Sequence, residues 1–376
     1  MRYDPGTGML NCDHCGNTEP LQDRHRGGAV IRELDFRAAL EQQLPEAELE
    51  TTQVLNCKNC GAQVEFEPAI HAAECPFCAT PIVTGTGENR HIKPKGILPF
   101  VLDDKAAHEA MNKWLGRLWF APNGLKKYAR RGRKMDGIYV PYWTFDAQTQ
   151  SAYAGQRGTV YYETRTVVID GKRQMQKVAK IRWRPVRGRV ERFFDDVLVL
   201  GSRSLPGNFA ENLMPWDLAA LEPYSPEYIA GLRAEAYTIE LDDAFQRARV
   251  QMDRVIERDV RFDIGGDRQQ VQQIDTKVSE VTFKHILLPV WVAAYRYGGK
   301  SYRFLVNGQT GRVQGERPWS VWKIMMAVIV VLLIAAALGY VYAVNQGGGT
   351  IAIGGGTGGI YFDPLDPFPS TPTQGY

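Results

Sequence analysis

Apolar residues recur every three or four positions in several stretches of this chain, which is the spacing of an amphipathic α-helix. The stretches 101–120 and 241–260 show the pattern most clearly, and Asp103 stands where a helix N-cap is expected in the first. The stretch 224–237 opens with Ser and Pro, which favour a helix start. A shorter pattern follows Asp35. We predict a helix at each place, with its apolar side against a core.

Between the helical stretches, residues 91–318 are rich in short β-like runs, and two of these runs match. GIYVPYW at 137–143 aligns with HILLPVW at 285–291, with Pro141 over Pro289. Pro cannot donate a ladder hydrogen bond, so each copy is expected at a strand end, a bulge or an edge. We therefore predict an α+β fold for 91–318, built from two related β-rich subdomains with intervening helices.

A single long apolar run lies near the end of the chain. Residues 324–344 form 21 positions without a charge, an amide or a His, and a helix of that length reaches about 30 Å, the thickness of the bilayer core. We predict a transmembrane helix over 319–345 and a disordered Gly/Pro-rich tail over 346–376. Lys and Arg precede the run and none follows it, so the positive-inside bias places residues 1–320 in the cytoplasm and the tail outside.

All six cysteines occur in C-x-x-C pairs, at 12/15, 57/60 and 75/78. Three disulfides are the alternative to metal, but strict pairing and the lack of a visible secretory signal favour thiolates in a reducing compartment. Two knuckles joined by a short β-like stretch predict a zinc ribbon over 53–90. Its four ligands would close the coordination shell of a structural Zn²⁺; they are Cys57, Cys60, Cys75 and Cys78.

The opening of the chain resembles the second half of that ribbon. YDPGTGMLNCDHC aligns without a gap with FEPAIHAAECPFC, 63 residues later. Residues 1–30 are therefore predicted to be a half ribbon, joined by a helical linker, 31–52, to the complete one. Three readings of Cys12 and Cys15 stay open. They are a metal-free relic, a zinc site completed by His14 or His25, or half of a site that a second protomer or a partner completes.

Charge adds two local features, because the formal net charge of the whole chain is only +3. Residues 126–134 hold six Lys and Arg, and residues 172–192 hold nine against one acid, Glu191. Basic and aromatic residues together suit nucleic acid and equally suit an anionic membrane surface. A solvated charged face is the third interpretation.

Catalytic signatures are not evident. The sequence has no G-x-S-x-G and no H-E-x-x-H, and YGGKS at 297–301 has Ala294 where a phosphate loop needs Gly. Asp195 and Asp196 are adjacent, and in a regular strand they would face opposite sides. The sequence therefore gives no support for an enzymatic activity, and an enzyme whose site lacks these signatures stays open as a third interpretation.

Several motifs together resemble a family of bacterial zinc-ribbon, single-pass membrane proteins, often labelled as transcription-factor-type zinc ribbons or primosomal helicases. The motifs include HIKPKGILPF, YVPYWTFDAQT, FDIGGD, TFKHILLPVW and VNGQTGRVQGERPWS, and the resemblance covers nearly all of 1–345. Members tend to be encoded beside stomatin/flotillin-like and phage-shock-type proteins. The resemblance implies an inner-membrane adaptor that recruits a partner and acts in envelope stress. A stomatin/flotillin-like protein is the candidate partner. The alternative is a membrane-tethered nucleic-acid-binding protein that uses the ribbon and the basic stretches.

Overall fold

The computed structural model describes residues 1–21, 31–65, 72–78, 80–83, 86–120, 135–169, 172–205, 207–297, 300–316 and 319–346. The chain divides into two units, Met1–Trp319 and Ser320–Tyr376. The basic stretch at 126–134 and residues 347–376 of the predicted tail lie outside the described residues.

The described residues contain helices and strands throughout the first unit and one helix in the second. The α-helices are α1 (Phe36–Leu40), α2 (Asp104–Arg117), α3 (Gly207–Leu213), α4 (Leu241–Ile264) and α5 (Val321–Gln346). The strands are β1 (Arg2–Asp4), β2 (Met9–Asn11), β3 (Thr18–Pro20), β4 (Leu34–Asp35), β5 (Leu49–Asn56), β6 (Gln63–Glu65), β7 (Ala72–Glu74), β8 (Pro81–Val83), β9 (Thr86–Ile92), β10 (Gly96–Ile97), β11 (Asp136–Ile169), β12 (Lys172–Leu200), β13 (Glu222–Pro223), β14 (Arg233–Ala234), β15 (Arg268–Tyr297), β16 (Lys300–Asn307) and β17 (Val313–Gly315).

Nine of these strands form one large sheet, whose main path is β12-β11-β15-β10-β13. Strand β14 joins it beside β11, β4 and β16 join it beside β15, and β17 extends it beyond β16. Three smaller sheets contain β1–β3, β5 with β6 and β9, and β7 with β8. The predicted α+β class is confirmed at this level: a large sheet with helices packed on it.

The two matching sequence runs lie next to each other in the large sheet. They pair antiparallel, with Tyr139 opposite Pro289 and Pro141 opposite Leu287. On the side away from the other run, the pairing strand changes at each Pro. There the N–H of Gly201 donates to Pro141 O (2.9 Å), and the N–H of Gly308 donates to Pro289 O (2.9 Å). A central strand tolerates each Pro because no partner on that side needs its missing N–H. The runs predicted in two subdomains thus share one sheet.

The short strands connect the two halves crosswise. Strand β10, which precedes α2 and β11, pairs parallel with β15. Strand β14, which precedes α4 and β15, pairs parallel with β11. Each half of the sheet is therefore completed by a strand from the other half.

The two faces of the sheet have different coverings. Even-numbered residues near the start of β11, such as Val140 and Tyr142, share an apolar cluster with the four-cysteine segment and α3. Odd-numbered residues, such as Tyr139 and Trp143, pack in clusters that include α2 and α4. The core of the first unit thus lies on both sides of β11 and β15.

Three of the four predicted helices form, and two of them begin at the predicted caps. Asp35 Oδ1 accepts from Ala38 N at the start of α1, and Asp103 Oδ1 accepts from Ala106 N at the start of α2, both at 2.7 Å. The prediction of a helix at 224–237 is wrong. Only one 3₁₀ turn forms there, at Pro226–Ile229, and the chain then enters β14. Pairing of β14 with β11 outweighs the local helix signal.

The far part of the large sheet is a long projection, which we call the arm. It consists of residues 148–169 of β11, 172–193 of β12 and 268–279 of β15. At about 3.3 Å per residue, its longest strand extends about 70 Å. The third strand ends at Arg268, opposite Gly158, so the outer part of the arm is a two-stranded ribbon. Helix α4 packs on the odd face of the arm, where Tyr153 Oη donates to Asp263 Oδ2 (2.5 Å).

The second unit contains α5 in its described part. Its residues Val321–Tyr342 form a helix that is long and apolar enough to cross a membrane. The predicted transmembrane segment at 319–345 falls on this helix.

Candidate metal centre

The structure brings the four cysteines of the predicted ribbon together. Their Sγ atoms all lie within 4.8 Å of one another. Cys57 Sγ is 3.5 Å from Cys78 Sγ, and Cys60 Sγ is 3.6 Å from Cys75 Sγ. A tetrahedral metal with bonds of about 2.3 Å places its sulfur ligands about 3.8 Å apart. The cluster therefore has the dimensions of a four-thiolate metal site.

Backbone hydrogen bonds hold each knuckle in shape. In the first, the N–H of Gly61 donates to Cys57 O and the N–H of Cys57 donates to Ala62 O, both at 2.8 Å. Gly61 has a φ of 75°, a left-handed conformation that Gly adopts without strain. In the second, the N–H of Cys75 donates to Thr80 O at 2.9 Å. These turns position the two sulfurs of each knuckle.

The centre is buried in the core of the first unit. Cys57, Cys75 and Cys78 are each less than 5 % exposed, and they pack in the same apolar cluster as Val140 and Leu98. Such a site has no open coordination position for a substrate. A metal bound there would stabilise the fold, and its loss would reach the large sheet.

The thiols share their protons unequally in this cluster. The hydrogen bond to Cys60 and burial raise the pKa of Cys75, and burial raises that of Cys57. The hydrogen bond from Cys75 lowers the pKa of Cys60 to about 5. Burying four thiolates without a cation is unfavourable, and a divalent metal removes that cost by replacing the shared protons.

The knuckle of the half ribbon has the same backbone geometry. The N–H of Gly16 donates to Cys12 O, and the N–H of Cys12 donates to Asn17 O, both at 2.9 Å. Cys15 is exposed and Cys12 is partly exposed. Backbone hydrogen bonds from Cys15 and His14 lower the pKa of Cys12. Among the described residues, the groups of three or more potential ligand side chains include neither cysteine, and His25 lies outside that part of the chain.

A second cluster of titratable side chains escaped the sequence reasoning. Asp146, Asp195 and Asp196 lie with carboxylate oxygens within 4.8 Å of one another, although adjacent strand residues were expected to face apart. Asp196 has a left-handed φ of 51°, and the pairing of β11 shifts register at Asp146 with both of its neighbouring strands. These irregularities bring the three carboxylates to the same place. Lys284 Nζ contacts Asp196 Oδ1 (2.7 Å) and Glu33 Oε1 (2.8 Å). The network could not be predicted from local sequence, because Glu33 and Lys284 are 251 positions apart.

The pKa values in this network diverge. Burial, together with the hydrogen bond to Glu33, raises the pKa of Asp146 to about 7. Burial opposes ionisation of Glu33 too, but hydrogen bonds from Asp146, Lys284 and Thr282 outweigh it and lower its pKa to about 2. The two carboxyls therefore share one proton below neutral pH, and Lys284 balances the remaining negative charge.

This arrangement predicts a specific pH dependence of stability. Folded Asp146 keeps a proton that the unfolded chain releases near pH 4, so its stabilising contribution is lost as the pH rises towards 7 and beyond. Asp146→Asn keeps a donor to Glu33 and an acceptor for the Asp196 N–H without titrating. Between pH 5 and 8 the wild type is expected to lose on the order of 2 kcal/mol more unfolding free energy than the variant. Chemical denaturation at both pH values measures this difference, and parallel curves contradict it.

Two further buried groups are structural. His285 is 2 % exposed and its Nδ1 lies 2.8 Å from Ile92 O, while burial lowers its pKa to about 4. Glu235 is 2 % exposed and accepts from Ser202 Oγ (2.7 Å), and burial raises its pKa to about 8. Both groups are neutral at pH 7, so neither brings a charge into the core beside the metal centre.

The comparisons with known proteins give one distant relative. A protein of Bacillus subtilis strain 168, described as "Uncharacterized protein YdjG", is 25 % identical over 326 residues, which cover 86 % of this chain and 89 % of that protein. No protein-family model matches the chain. No solved structure matches it either. The likeness extends over the greater part of both chains, and the relative's description assigns no activity.

Proposed function

We propose that this chain is a single-pass protein of the bacterial inner membrane, whose zinc-stabilised cytoplasmic unit acts as an adaptor that recruits a protein partner. One observation carries the proposal. The unit with the large sheet ends at Trp319, and the apolar helix begins at Val321. With no more than Ser320 between them, whatever binds the first unit is held at the membrane.

The metal of the proposal is zinc. Four thiolates at tetrahedral spacing suit Zn²⁺, and a closed, buried set suits a structural role. We infer that Cys12 and Cys15 are a relic of a second ribbon, because their exposed knuckle lacks a third ligand within the described residues. One zinc per chain follows from this reading.

The orientation follows from charge. Lys323 stands at the start of α5, and residues 324–376 contain no Lys or Arg. The positive-inside bias therefore favours a cytoplasmic first unit and a short tail outside. A reducing cytoplasm also keeps the thiols of the centre available for metal.

The partner of the proposal rests on the family resemblance, which favours a stomatin/flotillin-like membrane protein and a role in envelope stress. The fold is compatible with a binding platform. The crosswise pairing of β10 with β15 and of β14 with β11 supports a duplicated origin of the sheet, and it gives the first unit a rigid frame. The alternative, a tethered nucleic-acid-binding protein, draws support from residues 172–192, which lie on the exposed arm.

The test compares three strains: wild type, a deletion of the whole protein, and a chain that lacks residues 319–376. We expect one membrane-associated protein to co-purify with the wild-type chain from detergent-solubilised membranes, and to bind the shortened chain, which keeps the first unit, when solubilised membranes are added to it. Quantitative proteomics of the eluates measures this enrichment against the deletion strain. Eluates that match those of the deletion strain contradict the adaptor.

The orientation in the membrane is tested separately by cysteine labelling. A cysteine introduced by Ser370→Cys is expected to react with an impermeant maleimide added to intact spheroplasts. A matched cysteine at Ser279, exposed on the arm, is expected to react only after permeabilisation. The reverse labelling pattern contradicts the proposed topology.

A further inference from the structure

The arm carries a large excess of positive over negative charge. Residues 148–192 hold eleven Lys and Arg against three Asp and Glu, a net charge of +8, whereas the whole chain has +3. The remaining residues are therefore net acidic. Concentration of one sign of charge on a projecting element creates a field that attracts polyanions to that element.

Several of these cations have no acidic partner. In the part of the chain that the structure describes, Glu163 pairs with Arg165 and Lys180, and Asp259 pairs with Arg192. No ion pair is formed there by Lys177, Arg184, Arg187 or Arg189, and the last three are exposed. These four side chains are free to contact an anion without first breaking a salt bridge.

The strand register places three of the free cations, Lys177, Arg187 and Arg189, on the face opposite α4, whereas Arg184 is paired with Arg157 on the other face. On the central strand β11, the even face, opposite α4, carries the small residues Ala152 and Ala154, which are paired with Arg189 and Arg187 on β12. On the other side of β11, Lys277 pairs with Gln150. Long basic side chains thus stand on both sides of the small residues Ala152 and Ala154.

Aromatic rings continue the same face. Gly158 is paired with Trp183, and a Cβ at Gly158 would stand 2.8 Å from the Trp183 ring. The absence of that Cβ lets the indole lie across the central strand. Tyr162, four residues further out on β11, is 68 % exposed, and Phe193 is 58 % exposed at the inner end. Exposed rings on a sheet face, next to cations, are the arrangement that single-stranded nucleic acids use for base stacking.

The tip of the arm lies far from the end of the first unit. Strand β17, which leads to Trp319, pairs with β16 next to the start of β11. The tip of the arm lies at the other end of β11, which has 34 residues and a length of about 110 Å. The tip of the arm is therefore remote from Trp319, the last residue of the first unit.

We propose that the even face of the arm binds single-stranded nucleic acid. Arg187, Arg189 and Lys177 contact the phosphates, and the bases stack on Trp183 and Tyr162. An acidic protein would satisfy the cations but not the rings, whereas a single strand satisfies both. DNA and RNA share this chemistry. The inference does not depend on adaptor function, since it concerns a surface that neither the metal centre nor the apolar helix contributes to.

The test uses the full chain in nanodiscs of neutral lipid and fluorescein-labelled oligo-dT and oligo-rU of about 20 nucleotides. We expect binding by both, measured by anisotropy, with affinity falling as salt rises from about 50 to about 200 mM. The double variant Arg187→Glu/Arg189→Glu is expected to weaken binding at least tenfold. It is also expected to reduce the slope of log affinity against log salt by about 1.4. Tyr162→Ala, on an exposed ring, is expected to weaken binding on the order of tenfold.

The matched control is Lys113→Glu/Arg117→Glu on α2, which changes the net charge equally at two exposed positions outside the arm. It is expected to weaken binding less than threefold, and its thermal unfolding verifies that charge reversal leaves the fold intact. An equal loss in both double variants contradicts a site on the arm. If the protein binds vesicles rich in anionic lipid but neither oligonucleotide, the arm is a lipid-binding surface and the proposal is overturned. Tighter binding to a duplex than to a single strand excludes base stacking and also overturns it.

Discussion

Replacing Cys60 by Ser is expected to abolish metal binding at the four-cysteine centre and to unfold the ribbon around it. Three thiolates remain, and the partly exposed position of Cys60 accepts a hydroxyl without a clash. Structural zinc sites contribute about 10–16 kcal/mol in small peptides, whereas whole domains are stable by about 5–15 kcal/mol. Since Cys57, Cys75 and Cys78 pack against residues of β11 and β15, the damage is expected to spread into the large sheet.

Inductively coupled plasma mass spectrometry measures the loss of metal per chain. Limited proteolysis between residues 53 and 90 measures the unfolding of the ribbon. The control is Cys12→Ser/Cys15→Ser, which removes two thiols from an exposed knuckle. This variant is expected to keep one metal per chain and the wild-type digestion pattern. A folded Cys60→Ser protein with full metal content contradicts the centre, and a control that loses a second metal contradicts the relic.

Lys284→Met is expected to destabilise the first unit by about 3–5 kcal/mol. Methionine approximates the length of the lysine stem but leaves Asp146, Asp196 and Glu33 without the cation that balances them. Lys284 is 8 % exposed, so water replaces it poorly. The loss is expected to shrink at pH 5, because protonation of Asp146 relieves part of the uncompensated charge.

Chemical denaturation at pH 7 and pH 5 measures both effects. The matched variant is Lys277→Met, also on β15, where the lysine is exposed and forms no ion pair among the described residues. A change within about 0.5 kcal/mol is expected there, as for most surface substitutions. Equal losses in the two variants would show that Lys284 acts as an ordinary surface lysine, against the structure.

Features with a local cause were predictable from the sequence. The caps Asp35 and Asp103 start α1 and α2 because their side chains reach the first free N–H groups. The spacing of the C-x-x-C pairs gave the cysteine cluster, because each knuckle is set by a few neighbouring residues. The apolar run at 324–344 falls on a helix for the same reason, since its length and composition are read directly.

Features with a distant cause were not predictable. The helix expected at 224–237 is replaced by a short strand because β11, almost a hundred residues earlier, supplies the pairing partner. Asp195 and Asp196 share one cluster because a left-handed residue interrupts the alternation of β12. The length of the arm depends on β11, β12 and β15 continuing far beyond the core, and the strand patterns of their separate sequences do not show how far they pair.

The crosswise pairing of the two halves has a consequence for synthesis on the ribosome. Strand β10 can pair only after residues 286–287 have been synthesised, and the inner edge of β11 at Val140 and Tyr142 also needs β15 as its partner. Contacts between residues so far apart in sequence form late and slowly. The sheet is therefore completed only as the last strands, β16 and β17, leave the ribosome, immediately before the apolar helix. For most of translation the nascent chain therefore exposes unpaired strands, which are prone to aggregation until their partner strands have emerged.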